Sequence, residues 1–330
     1  MLDTSKNSTT VRSSSSSSST KKPGLATLRL VRAGLQTAFA LSDGLGASLA
    51  ERLFTSPRRY DRPERERTIL ATGRPFEVVV HLRSPRWAGA TTKVVAWRWG
   101  GNGPTVLLVH GWEGRGSQLG AVIEPLVAAG LSVVTFDAPA HGDSPGSRLY
   151  LTDHADAIAD VVAAVGPLHA TISHSFGTAA VLLAHARHGI DAPINVAISP
   201  NVLIDDAVAR FAKLITLDDT ERRVFEGHLA QASGIGIDAL SLSALVTRRE
   251  ADLLVFHDRD DKEVSVSHGA ALAAWWPGGR LELTEDLGHR KILRDPAVIA
   301  ATVEFVRRGV RPPVSDLVRE VDRALVSVDL

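Results

Sequence analysis

The sequence contains no cysteine, one methionine and two tyrosines, and aromatic residues make up only 5% of its 330 positions. Without cysteine there is no disulfide, thiolate nucleophile, zinc–thiolate site or iron–sulfur cluster, so a nucleophile has to be an oxygen or a nitrogen. The same lack suits a reducing compartment, and a cytoplasmic location is expected. Charge of one sign is missing too: 37 Lys and Arg balance 37 Asp and Glu. A dedicated nucleic-acid binder is clearly basic, so no nucleic-acid partner is expected. No stretch offers the roughly 20 consecutive apolar residues of a membrane-spanning helix. The first apolar-rich region is broken by Arg29, Arg32, Gln36 and Asp43, unlike the core of a signal peptide. What the chain does have is 44% hydrophobic residues, enough for a sizeable core.

Residues 1–22, with an unbroken serine run from Ser13 to Ser19, are too polar to bury anything and are expected to be disordered. Residues 23–67 read as an amphipathic helical segment. Leu28, Val31, Leu35, Phe39, Leu45, Leu49 and Leu53 recur near helical spacing there. Residues 1–67 carry twelve Lys and Arg against six Asp and Glu, so a basic face could rest on an anionic membrane. The expectation is instead that the stripe packs on the body of the same protein, without firm membrane association.

After Arg74-Pro75 the pattern turns strand-like, with a hairpin over 76–82 and 91–99. Strands at 105–109, 131–136, 168–173 and 194–199 then alternate with helices near 117–129, 153–164 and 176–188. Such alternation predicts an α/β fold, a mostly parallel sheet with helices on both faces. Residues 201–250 interrupt it with two helical stretches, whose Phe211, Ile215, Val224 and Phe225 are expected to cover a site. Strands at 252–257 and 280–284 and helices at 267–276 and 296–308 resume it, within a domain of 68–310, and a tail with helical potential follows at 311–330.

The most informative segment is Leu168-His-Ala-Thr-Ile-Ser-His-Ser-Phe-Gly177, a buried strand running straight into a helix with Ser175 at the junction. A strand that turns sharply into a helix strains its middle residue, and the residues two before and two after must be small. Ser173 and Gly177 meet that need. The turn leaves the Ser175 hydroxyl above the sheet, beside the N–H of Phe176. A serine needs a base, and the base needs an acid to orient it. Downstream, one strand ends in a loop holding Asp258, Asp260 and Asp261, and another leads through Glu285 and Asp286 to His289. Chain order serine, aspartate, histidine, each at the carboxyl end of its own strand, is the order expected here. The strand at 105–109 ends in His110-Gly-Trp-Glu-Gly-Arg-Gly116, whose glycines let the N–H of Trp112 turn toward the same spot as that of Phe176.

Other readings fit less well. Gly114, Gly116 and Gly120 after a strand, with Asp137 at the next strand end, suggest a dinucleotide site, but the third glycine is one position late. A short-chain dehydrogenase also wants Tyr-x-x-x-Lys, and His154 stands four after Tyr150. The aspartates at 258, 260 and 261 lack the glycine and final acid of an EF-hand, so no metal is expected. His154, Asp156 and Asp160 read as a solvated helix face.

His110-Gly-Trp112, Phe136-Asp-Ala-Pro-Ala-His-Gly-Asp143, Ser173-His-Ser-Phe-Gly177, His257-Asp-Arg-Asp-Asp-Lys-Glu-Val264 and Leu287-Gly-His289 resemble successive blocks of the α/β-hydrolase family, nearest to bacterial serine esterase-like members. The resemblance spans about residues 75–308. It implies an α/β-hydrolase fold with an eight-stranded sheet and residues 201–250 as a small helical cap. It further implies Ser175 as nucleophile, His289 as base and Asp261 as acid, with oxyanion donors at the backbone N–H groups of Trp112 and Phe176. A small-molecule acyl substrate and no cofactor are expected. Ser173, where the family ordinarily has glycine, is the main departure. The fold also hosts acyl transferases, lyases and non-catalytic binding proteins, which remain the alternatives. Nothing in the sequence sets the oligomeric state.

Overall fold

The computed structural model describes residues 25–246 and 251–308. The tails expected at 1–22 and 311–330, and part of the 201–250 interval, lie outside them. In chain order the strands are β1 (Arg74–His81), β2 (Thr91–Trp99), β3 (Thr105–Val109), β4 (Ser132–Phe136), β5 (Leu168–His174), β6 (Ile194–Ile198), β7 (Asp252–Asp258) and β8 (Arg280–Thr284). Before β6 come helices α1 (Leu25–Leu41), α2 (Asp43–Thr55), α3 (Glu64–Ala71), α4 (Ile123–Ala128), α5 (Leu151–Val165) and α6 (Phe176–His188). After it come α7 (Ile204–Leu214), α8 (Asp219–Ser233), α9 (Leu242–Leu245), α10 (Val266–Trp275), α11 (Gly288–Lys291) and α12 (Pro296–Val306).

Short apolar runs make the centre of the sheet. β3, β4 and β6 are buried at every position, as strands must be when helices cover both faces. The sheet order is β1-β2-β4-β3-β5-β6-β7-β8. β2 is antiparallel to both neighbours, and every pair from β4 across to β8 is parallel. Alternate residues of a strand serve two cores. Leu107, Val109, Leu253 and Val255 pack toward α2, α5, α6 and α10, whereas Val106, Leu108, Leu254 and Phe256 pack toward α4 and α12. From β3 the chain steps to β4 on one side and then returns past β3 to β5 on the other. The strand order therefore reverses between β3 and β5, and their carboxyl ends flank the crevice where such sheets place their sites.

The amphipathic N-terminal segment folds as α1 and α2, and its stripe docks on the body. Leu35, Ala38, Phe39, Ala47 and Ala50 are buried, while Leu30, Leu41 and Leu45 stay exposed. Gly46 is required where the two helices close, because a Cβ there would lie 2.2 Å from the Phe39 ring. Phe54 of α2 meets Phe211 of α7 and Phe225 of α8 with ring centroids 4.9 and 5.8 Å apart. The fully buried Glu51 accepts a hydrogen bond from the Tyr150 hydroxyl and faces His228 Nε2 of α8 at 2.9 Å. Phe211 and Phe225, read in the sequence as covering a site, thus pack against α2. Among the described residues no helix is long and apolar enough to cross a membrane.

One reading is overturned. His154, Asp156 and Asp160 do not form a solvated helix face: α5 lies under the β1–β2 hairpin, with His154 and Asp156 fully buried. The reason is acceptor demand. Asp160 Oδ2 accepts the His81 N–H at 2.7 Å and Asp156 Oδ2 the Arg83 N–H at 2.7 Å, so the carboxylates satisfy hairpin backbone groups that would otherwise be orphaned. His154 has no hydrogen-bond partner at either ring nitrogen and sits among Phe136, Phe176 and His110. Burial, with His141 adding to it, pushes its pKa down to about 3.

His154→Leu should therefore stabilise the protein, and more at pH 5 than at pH 8. The imidazole is neutral in the folded state, while the unfolded chain takes up a proton near pH 6.5. Its stability contribution is thus full above the unfolded pKa and falls away as pH drops toward the folded value of about 3. At pH 5 the loss amounts to about 2 kcal/mol, measurable by denaturant unfolding of both proteins. An equal gain at the two pH values would clear His154 of the acid lability.

Candidate active site

The turn from β5 into α6 holds Ser175 at φ 52°, ψ −124°, a conformation that residues with a Cβ avoid. Neighbouring backbone fixes it there. The Ser175 N–H donates to Ile198 O at 3.1 Å, and its carbonyl accepts from Thr178 N at 3.0 Å and Asn201 N at 3.1 Å. Gly177 admits no side chain, since a Cβ would lie 2.4 Å from His110 O and 2.7 Å from Val109 O. Ser173 is accommodated because its hydroxyl donates across the turn to Thr178 Oγ1 at 3.0 Å, with Val196 O at 3.3 Å as the alternative acceptor.

The loop after β3 lies against this turn. A Cβ on Gly111 would stand 2.8 Å from Ser175 Cβ and 3.4 Å from Phe176 N, and the Trp112 ring packs edge-on to Phe176 at 5.7 Å. Phe176 begins α6 and so has no carbonyl within the helix for its N–H. Buried histidines hold the loop. His110 donates from Nδ1 to Gly111 O at 2.8 Å and accepts Ala138 N at Nε2 at 2.9 Å, which fixes a neutral tautomer. His141 accepts Glu113 N at Nε2 at 3.0 Å, and burial lowers its pKa to about 4.

Of the carboxylates near His289 in sequence or space, it is Asp261 that meets it, with Oδ2 2.7 Å from His289 Nδ1. The other oxygen, Oδ1, accepts the N–H groups of Glu263 at 2.8 Å and Val264 at 2.9 Å. Burial pushes this carboxyl up, but the hydrogen bond to His289 and the two amides outweigh it and hold the pKa at about 2. Asp258 has a different task. It is buried and accepts from Thr284 Oγ1 at 2.7 Å, Leu287 N at 3.1 Å and Asp260 N at 3.0 Å, tying the ends of β7 and β8 together. Asp260 and Glu285 are exposed, the latter paired with Arg259 at 3.4 Å.

His174, next to Ser175, joins the two halves of the site. Its Nε2 donates to His289 O at 3.0 Å, and the two rings lie 4.7 Å apart. Burial and then His289 push its pKa to about 3, so it is a neutral donor. The sequence reading passed over it, although its place beside the junction serine was the available signal. The structure thus brings the Ser175 turn, His289 and Asp261 to one end of the sheet, with the Trp112 loop alongside. Among the described residues the Ser175 hydroxyl has no hydrogen-bond partner. Asp137, considered for a ribose, instead accepts Gly116 N and Asp143 N, both at 2.8 Å, and pairs with Arg62 at 2.5 Å. That uses up the glycine-loop amide a dinucleotide phosphate would need.

Residues 106–229 match the model of the alpha/beta hydrolase family. A pimeloyl-[acyl-carrier protein] methyl ester esterase from Aromatoleum aromaticum is 27% identical over 251 residues, which are 63% of this chain and 100% of that protein. Est1E from Butyrivibrio proteoclasticus, solved with ferulic acid bound, is similar with a TM-score of 0.53 and 19% identity over 66% of this chain and 93% of that one. A putative lipase from Acinetobacter baumannii gives a TM-score of 0.54 and 16% identity, covering 75% of this chain and 97% of that one. At such identities the two structures speak for a shared fold.

Ser175→Gly should raise stability by about 1 kcal/mol, the relief of backbone strain less the entropy glycine adds to the unfolded chain. Denaturant unfolding checks this, and a destabilised variant would mean that side-chain packing outweighs the strain.

Proposed function

We propose that this chain, a member of the alpha/beta hydrolase family with the α/β-hydrolase fold, is a serine hydrolase acting on carboxylic esters or thioesters through an acyl-enzyme. The reading rests above all on Ser175, a residue with a side chain held at φ 52° at a strand–helix junction. Beside it His174 fixes the His289 main chain and Asp261 fixes the His289 ring.

Because Nδ1 of His289 is occupied by Asp261, Nε2 is left for proton transfer. Ser175 Oγ adds to the substrate carbonyl as Nε2 takes its proton, and the oxyanion is received by the N–H groups of Trp112 and Phe176. Collapse breaks the bond to the alcohol or thiol, which leaves with the proton from His289. Water then adds to the acyl-enzyme with the same nitrogen as base, and the acid departs as Ser175 regains its proton. In an unliganded site the serine–histidine hydrogen bond is often long and tightens only with substrate bound. Helices α7 to α9 serve in this reading as a small cap over the carboxyl end of the sheet, braced from outside by α1 and α2. The relative named for a methyl ester supports an acyl substrate. The cysteine-free composition supports a cytoplasmic location.

A fluorophosphonate probe and a panel of p-nitrophenyl esters and acyl thioesters test the reading. The wild-type chain should be labelled and turn over at least one ester, and Ser175→Ala should lose labelling and roughly a million-fold in rate with the fold intact. Labelling that survives in the alanine variant would remove Ser175 from the mechanism.

Among the acids, Asp261→Asn should cost about four orders of magnitude in kcat, the scale for an orienting aspartate turned into an amide. Asp260→Asn, on an exposed side chain, should stay within a few-fold of wild type. The opposite ranking would reassign the acid.

A further inference from the structure

Glu113 follows Trp112 in the loop that carries the proposed oxyanion donor, and it takes a left-handed φ of 54°. Its N–H is already held by His141. Its carboxylate is gripped from elsewhere in the chain: Oε1 accepts Arg58 Nε at 2.7 Å and Arg58 N at 3.2 Å, and Oε2 accepts Arg58 Nη2 at 2.9 Å and the Tyr60 hydroxyl at 3.2 Å. Burial alone would raise the Glu113 pKa, but these bonds from Arg58 bring it below its ordinary value. Arg58 and Tyr60 lie between α2 and α3, ahead of the residues that match the family model.

That stretch is itself fastened down. Arg59 donates to the carbonyls of Gly142 and Ser144 at 2.9 and 2.7 Å, and Arg62 pairs with Asp137 and Asp143. It therefore works as a strap with a fixed course. At its middle a two-pronged guanidinium–carboxylate pair, the strong and directional kind, holds the residue next to Trp112.

We propose that Arg58 and Tyr60 are positioning residues for the oxyanion loop, acting through the Glu113 carboxylate, and that Arg58 also neutralises that carboxylate beside the developing oxyanion. This rests on the serine-hydrolase reading. A bare carboxylate one residue from the Trp112 N–H would oppose the negative charge that the N–H is there to receive. The Glu113 side chain is only 15% exposed, so water screens it poorly, whereas Arg58 is 54% exposed and can be replaced without opening the core.

The test measures kcat, KM and Tm for Arg58→Ala, Arg58→Lys, Glu113→Gln and the double variant Arg58→Ala/Glu113→Gln. Hydrogen–deuterium exchange over residues 110–116 is followed in each. Arg58→Ala should lower kcat roughly ten- to a hundred-fold, short of the loss of a whole oxyanion donor, with KM and Tm nearly unchanged. Arg58→Lys, which keeps the charge, should recover most of the rate. Glu113→Gln should cost less than Arg58→Ala, and added to it should restore the part of the rate lost to the unpaired charge but not the part lost with the grip. Loop exchange should quicken in Arg58→Ala and in the double variant, where the grip is lost. A double variant worse than Arg58→Ala would overturn the neutralising role. Unchanged exchange would overturn the positioning role, and that outcome is readable even if wild type takes no label from a fluorophosphonate, the result that would sink the hydrolase reading instead.

Discussion

The backbone at Ser175 is the constraint on which the rest of the structure turns. A residue with a side chain held at φ 52° persists only if its surroundings over-determine it, and here they do. β6 supplies an acceptor at Ile198, the segment after it a donor at Asn201, and α6 a donor at Thr178. β3 comes so close that Gly177 and Gly111 have room for no side chain. The arrangement needs β3, β5 and β6 side by side with their carboxyl ends level, which only a parallel sheet provides.

Histidine chemistry is divided by environment. His110, His141, His154 and His174 are buried without a carboxylate partner, and burial keeps each of them neutral. As neutral rings they act as two-ended linkers or as packing between the loops. His289 differs in having the Asp261 carboxylate at Nδ1, and that carboxylate is anchored by two amides so that it cannot swing away. One side-chain type thus provides both the framework and the group proposed for proton transfer, according to what faces it.

The sheet was legible in the sequence because a strand buried on both faces has to be an apolar run, and few other segments offer one. The sharp turn at Ser175 was legible because it lies between such a run and a helix, with small residues two before and two after it. The contacts of α5 were not. Asp156 and Asp160 look the same in sequence whether they meet water or the amides of Arg83 and His81, and the hairpin that demands them is more than seventy residues away. For the same reason the partner of Phe211 and Phe225 was unreadable: an apolar face announces that it will be covered, not that Phe54 will cover it. Arg58 and Glu113 lie 55 residues apart, and neither carries a local sign of the other.

The N-terminal helices have a consequence for how the protein is made. Arg32 of α1 caps the Leu214 carbonyl of α7, a partner 182 residues later, and Glu51 of α2 waits for Tyr150 and His228. Both helices are therefore synthesised long before the partners they dock on. At ordinary elongation rates of about 5–20 residues per second, the apolar stripe of α1 and α2 stays uncovered for roughly 10 to 40 s. Over that interval the part of the stripe that later meets α7 and α8, Phe54 included, lacks its cover, the kind of transient apolar exposure that chaperones exist to shield.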